Sequence, residues 1–294
     1  MATLRSASAN TTAALALWIN RGLEALWLIA VVLVPLAFLD RDSFRSEAVI
    51  AYVEVPKVVL LRTLVGLMAI LWLVEWGIRR RLPFGPPFSG EAFHLQLRPR
   101  LRRLRGWLRP QPTRWVTLAV VFYLGTTLLS TVLSASFAVS MWGEVPGQDG
   151  YPAYTILAYV VLFGVIATHL KTRAQLWRLL GAIVLMGVLA TGYAVAQHYA
   201  HDFLDLTEVT GGGQGRVTSF MGNSIFSAAV TLMTLVVSLM AATITLRNPL
   251  VTSGKPRWLV GRWLVALAVA GLWGTVLMVQ FLGITFTFSR GPWL

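Results

Sequence analysis

Residues Ile225 to Thr245 read IFSAAVTLMTLVVSLMAATIT, an apolar run interrupted only by serine and threonine and free of charge. Crossing the roughly 30 Å hydrocarbon layer of a bilayer takes about 20 mostly apolar residues in a helix, and this run supplies them. Six further windows meet or nearly meet the same test, near 22–39, 56–78, 115–134, 152–170, 179–197 and 263–284. Together the seven windows predict an all-α, polytopic transmembrane helix bundle of about seven helices, forming a single transmembrane domain over 1–294. Arg21 and Glu24 sit at the start of the first window. Asp40-Arg41-Asp42 follows Leu39 where a cleaved leader would place small residues, so this window reads as a retained helix.

Composition points the same way. The 294 residues are 56% hydrophobic and 13% charged, with a mean hydropathy of +0.68. That is more apolar surface than a water-soluble fold can hide. The formal charge of +13 would suggest nucleic acid in a soluble protein, but here the charges fall between apolar runs, and no nucleic-acid partner is expected. The absence of cysteine removes disulfides, thiolate metal sites and cysteine nucleophiles from consideration.

Orientation follows from the basic residues, which are retained on the cytoplasmic side during insertion. Arginines crowd the segment from Arg79 to Arg114. Lys171, Arg173 and Arg178 follow the fourth window, and Arg247, Lys255, Arg257 and Arg262 follow the sixth. The opposite loops carry acids, among them Asp40, Asp42, Glu144, Asp149, Asp202, Asp205 and Glu208. The N-terminus is therefore expected in the cytoplasm and Leu294 outside. Within the basic loop 79–114, Leu97, Leu101, Leu104 and Leu108 recur at helical spacing beside Arg98, Arg102, Arg105 and Arg109, which predicts an interfacial helix. Anionic lipids are its expected partners, either as a topology anchor or through recognition of one headgroup. Upstream, Pro83 to Gly90 holds three prolines and two glycines and reads as a linker.

Three polar segments then face outward: 134–154, the glycine-rich loop 198–217, and 288–294. In the second, Gly211-Gly212-Gly213-Gln214-Gly215-Arg216 leads through Val217-Thr218-Ser219-Phe220-Met221-Gly222-Asn223 into the sixth helix. A flexible loop thus delivers Arg216, Ser219 and Asn223 to a helix N-terminus. Unpaired N–H groups and the positive dipole end favour an anion there, and arginine pairs with phosphate oxygens through two N–H groups. The bland alternative is a simple turn. Arg290, with Ser289 before it, lies at the outer edge after an almost uncharged helix; it either joins the anion site or snorkels to the interface. Lys57 and Arg62 lie near the outer end of the second helix. They extend the same site or form a structural pair with Glu54. His198, His201, Asp202 and Asp205 offer only a partial metal shell, and no metal is assigned.

In this order the segments resemble the superfamily of O-antigen ligases and O-antigen polymerases, bacterial membrane glycosyltransferases. The resemblance is carried by Val55-Pro56-Lys57, by Trp142-Gly143 through Gln148-Asp149-Gly150 to Tyr154, and by Gly192-Tyr193 with Gln197. It continues in Arg216-Val217-Thr218-Ser219-Phe220-Met221-Gly222-Asn223 and Thr287-Phe288-Ser289-Arg290-Gly291, and covers roughly 50–294. It implies a GT-C-like fold in a bacterial inner membrane and transfer of a glycan from an undecaprenyl-diphosphate carrier on the outer face, with no nucleotide sugar, metal or cofactor. It also implies that Arg216 and Arg290 bind the donor diphosphate. Stabilising charge that grows as the glycosidic bond breaks is what two arginines can do chemically.

Two departures qualify the resemblance. The family has proline and asparagine after its glycine-asparagine pair, where this chain has Ser224-Ile225. The family also continues past its serine-arginine-glycine motif into a loop with the presumed catalytic histidine. The chain is therefore expected to correspond to an N-terminal half, its catalytic group unassigned, acting with a C-terminal half. The alternative is a non-catalytic subunit held among other membrane subunits. A transporter ranks third, since no inverted repeat is visible.

Overall fold

The computed structural model describes residues 2–39, 49–79, 113–143, 152–202, 204, 216–251 and 259–289. All regular structure among these residues is helical: α1 (Ala2–Leu36), α2 (Val49–Arg79), α3 (Thr113–Val132), the short α4 (Phe137–Trp142), α5 (Ala153–His169), α6 (Arg173–His198), a 3₁₀ turn (Ser219–Met221), α7 (Ser224–Val251) and α8 (Leu259–Phe286). Six contain stretches long and apolar enough to cross a membrane: Ala14–Leu36, Tyr52–Ile78, Arg114–Val132, Arg173–His198, Ser224–Arg247 and Leu264–Phe286. The expected span at 152–170 is α5, whose 17 residues sit at the short limit of about 17–25 for a crossing helix. The chain is a multi-pass membrane protein built as a helical bundle. The linker Pro83–Gly90 and the basic helix expected over 97–109 lie outside the described residues.

Most helices begin earlier than their apolar windows, α1 and α2 by the widest margins. α1 starts at Ala2 because the residues before Arg21 are rich in alanine and leucine, the strongest helix formers. Arg21 is exposed, with its guanidinium 5.7 Å from the ring of Trp18 one turn back. α2 starts at Val49 and carries Pro56 within it. Proline has no N–H, so the carbonyl four residues earlier, that of Tyr52, loses its helical partner. The Leu39 N–H donates to that carbonyl at 2.9 Å, tying the residues after α1 to α2 and satisfying a group that lipid could not.

The chain divides into two compact units, Met1–Trp27 with Leu61–Lys171, and Leu28–Leu60 with Thr172–Leu294. In the first, Leu23, Trp27, Leu64, Val65 and Met68 are buried. Glu75 on α2 and His169 on α5 are buried too, and the His169 Nε2 meets the Glu75 carboxylate while its Nδ1 lies 2.9 Å from the Val165 carbonyl. Nδ1 also lies 2.8 Å from the Thr168 hydroxyl, so both ring nitrogens have polar neighbours in a buried place. Glu75→Leu removes the partner of the buried Nε2. It is expected to lower stability by roughly 1–3 kcal/mol, read as an earlier thermal unfolding midpoint in detergent.

The second unit is organised by α6, α7 and α8, which pack on one another. The buried face of α7 is Ser227, Ala228, Thr231, Thr234, Ser238, Ala241 and Ala242, while Leu232, Met233, Val236, Leu239 and Met240 are exposed. In water this pattern would be inverted. In lipid the large apolar side chains belong outside, and small residues let helices approach closely. Thr231 and Thr234 satisfy their hydroxyls on their own helix, donating to the Ser227 and Thr231 carbonyls. The approach is tightest at Gly187 of α6, where a Cβ would lie 2.6 Å from Thr234 and 2.8 Å from Gln280 of α8. At Gly283 a Cβ would come within 3.0 Å of Thr191.

α6 begins with a reciprocal cap. The Gln175 N–H donates to Thr172 Oγ1 at 3.2 Å and the Thr172 N–H donates to Gln175 Oε1 at 3.0 Å. Thr172→Ala is expected to cost about 1 kcal/mol, detectable in the same unfolding experiment.

Candidate functional site

In the second unit the segment Arg216 to Asn223 is held from every side. Val217 and Arg216 lie along the end of α8: the Val217 N–H donates to the Phe286 carbonyl at 3.3 Å, and Arg216 Nε donates to the Thr287 carbonyl at 3.3 Å. Arg216 Nη2 donates to the Ser224 hydroxyl at 2.6 Å. These bonds grip one edge of the guanidinium and leave Nη1 outside both. Arg216 is exposed, although its anchors Ser224 and Thr287 are buried. The result is a cation fixed in direction and presented outward, which loses little freedom on meeting an anion.

Ser219 turns the chain. Its backbone is left-handed at φ 50°, an uncommon state for any residue with a Cβ. Two buried bonds hold it: its N–H donates to Gln197 Oε1 at 2.8 Å and its hydroxyl donates to the Ala190 carbonyl at 2.7 Å. Ser219 is thus a structural residue, its hydroxyl occupied on α6. Phe220 follows, with its ring 4.7 Å from Tyr193 and 5.7 Å from Phe38. The Phe220 carbonyl accepts a hydrogen bond from Lys57 Nζ. Gly222 is left-handed at φ 68°, and a Cβ there would sit 3.1 Å from Val53, so both conformation and space require glycine.

Asn223 starts α7. Its Oδ1 accepts from the Ile225 N–H at 2.8 Å and its carbonyl accepts from the Ser227 N–H at 3.0 Å, the geometry of an N-cap. The positive end of a 28-residue helix therefore opens beside Arg216, and both favour an anion. The departure of this segment from the expected pattern at Ser224 has a use in the fold, since Ser224 carries the hydroxyl that fixes Arg216.

Of the expected site residues, Lys57, Arg216, Ser219 and Asn223 are brought to this one turn. Ser289 is buried beside it, and its N–H donates to Thr287 Oγ1 at 3.3 Å. Arg290 and the loop Gly211–Gly215 lie outside the described residues. Arg62 is engaged elsewhere. Its side chain belongs to the first unit, where Nε and Nη2 donate to Thr155 Oγ1 at 3.2 and 2.6 Å. Its guanidinium stands 4.7 Å from the Tyr154 ring, which in turn packs on Trp142 at 5.2 Å. Residues 148–150 of the same motif are outside the described residues.

The histidines and acids expected on the outer face have other contacts. His198 stacks on Phe286 with ring centroids 3.7 Å apart, and His201 Nδ1 lies 2.8 Å from the Tyr199 carbonyl. Asp202 accepts a hydrogen bond from the Tyr193 hydroxyl. Sequence reasoning did not find Thr287 as an anchor for Arg216, nor Phe220 as a carbonyl for Lys57. In both the partner is a backbone oxygen, which carries no signature in the residue type. Comparison of the chain with protein-family models, with curated proteins and with solved structures gave no match in any of the three.

Proposed function

We propose that this chain binds an undecaprenyl-diphosphate-linked glycan on the outer face of the bacterial inner membrane, as the donor-binding portion of an O-antigen ligase-like glycosyltransferase. One observation carries the reading: four sequence segments spread from Lys57 to Thr287 meet at the 216–223 turn, where Arg216 is fixed by Ser224 and Thr287 yet exposed. A polyprenyl diphosphate matches the surroundings at both ends. Its chain suits the lipid-facing apolar helices, and its phosphates suit a guanidinium beside a helix N-terminus. Arg290 is assigned to the same diphosphate and the arginine-rich loop to anionic lipid on the opposite face. As the glycosidic bond breaks, the leaving diphosphate gains charge, and a pre-aimed cation stabilises that state more than the starting one.

The reading is tested with a photoactivatable polyprenyl diphosphate incubated with the full chain in nanodiscs. Cross-links are expected within 216–226 and near Thr287, and excess unlabelled polyprenyl diphosphate should abolish them. Cross-links scattered over the lipid-facing helices, and insensitive to that competitor, would remove the assignment.

A further inference from the structure

Beside Arg216, at the ends of α6 and α8, four rings make one surface. His198 and Phe286 stack in parallel, 3.7 Å apart with planes 5° from each other. Tyr199 stands edge-on to both, 5.2 Å from His198 and 5.9 Å from Phe286. Phe288 lies 6.4 Å from His198. The stack is a support, while the two outer rings are open: Tyr199 is 62% and Phe288 58% exposed.

The backbone keeps Phe288 there at a cost. Its φ is 47°, a left-handed state that is a true outlier for a bulky residue. The left-handed non-glycine residues among those described are Ala200, Ser219 and Phe288, and Ala200 and Phe288 closely follow the helix ends that carry these rings. Glycine would end α8 without strain, so the fold holds an aromatic ring in a position that favours none.

The border of this surface is polar. His201 and Asp202 follow Tyr199, and Phe288 is flanked by Thr287, whose carbonyl binds Arg216. A prenyl chain would need apolar surface alone. A pyranose has an apolar C–H face and a rim of hydroxyls, and C–H groups rest favourably on the electron-rich face of an aromatic ring. Exposed rings within a polar border, next to an anion-binding arginine, fit a sugar attached to a phosphate.

We infer that Tyr199 and Phe288, backed by the His198–Phe286 stack, seat the sugar that is directly joined to the diphosphate. The inference rests on the reading of Arg216 as the diphosphate anchor. The rings select carriers that bear a glycan over bare carriers, and they orient the first sugar relative to the phosphate held by Arg216.

The test measures binding of two probes to the full chain in nanodiscs: a polyprenyl diphosphate bearing one hexose, and the same polyprenyl diphosphate without sugar. The variants are Tyr199→Ala, Phe288→Gly and Arg216→Ala. Phe288→Gly removes the ring while suiting the left-handed backbone, so its folding is secure. The ring variants are expected to weaken the hexose-bearing probe by about tenfold and leave the bare probe unchanged. Arg216→Ala is expected to weaken both. If the ring variants weaken both probes equally, the rings hold the prenyl chain and the inference fails. It fails also if the hexose-bearing probe binds them as it binds the unaltered chain. Unchanged binding of both probes by Arg216→Ala overturns the anchor instead, whatever the ring variants do.

Discussion

Arg216→Ala is expected to weaken binding of a polyprenyl diphosphate by roughly 10- to 100-fold, the range for losing hydrogen bonds to a charged group. The effect should be large because the side chain is already ordered. Ser224 and Thr287 hold Nε and Nη2, so the unaltered protein spends little entropy in aiming the guanidinium. Arg216→Lys restores charge without the planar fork and cannot span both anchors, so it should recover only part of the loss. Ser224→Ala keeps the arginine but frees one edge. It should cost less than Arg216→Ala and more than a change at a lipid-facing position such as Met233. Titration of the purified variants with one probe orders the four. An Arg216→Ala variant that binds like the unaltered chain would show the guanidinium serves only to pin the end of α8.

The second large effect concerns the fold. Gly187→Ala is expected to destabilise the second unit by about 1–3 kcal/mol or more, because the new Cβ would lie 2.6 Å from both Cβ and Oγ1 of Thr234. The Gln280 amide, 2.8 Å away, can swing aside, but Thr234 is β-branched and stiff. α6 and α7 must separate or tilt, and the displacement reaches Ala190, whose carbonyl holds Ser219. The variant should therefore lose ligand affinity along with stability. Gly181→Ala is the control. A Cβ there meets nothing within 4 Å, so alanine should be neutral or stabilise the helix by up to about 1 kcal/mol. Thermal unfolding of both variants in the same detergent makes the comparison. Equal midpoints would mean that the helices are not in contact at Gly187.

Much of the architecture was legible because membrane helices must satisfy their backbones internally and over a set length. An uncharged run such as 225–245 has few alternatives. The helix starts were less legible. Pro56 marks a helix start in most soluble contexts, yet α2 begins at Val49, and the carbonyl that Pro56 frees is satisfied by Leu39 from a distant part of the chain. The site was partly legible for a similar reason. Arg216, Lys57 and Asn223 announce themselves by charge or capping chemistry in an apolar chain. Whether Lys57 would meet Glu54 or another group was open, and its partner is the Phe220 carbonyl. Arg62, five residues along the same helix, turned to Thr155 and Tyr154, because residues five apart on a helix point to different sides. Phe288 stands in the sequence only as one position of the Thr287–Gly291 motif, since an aromatic residue at a membrane edge is ordinary. Only its backbone conformation sets it apart.

The central claim is that this chain recognises the diphosphate of a lipid carrier. Binding of undecaprenyl diphosphate, undecaprenyl monophosphate and undecaprenol to the purified chain in nanodiscs tests it most directly. The diphosphate is expected to bind at least about tenfold more tightly than the monophosphate, with undecaprenol weakest and the preference shrinking at high salt. Equal binding of all three would show that the chain reads only the prenyl tail, and would contradict the account.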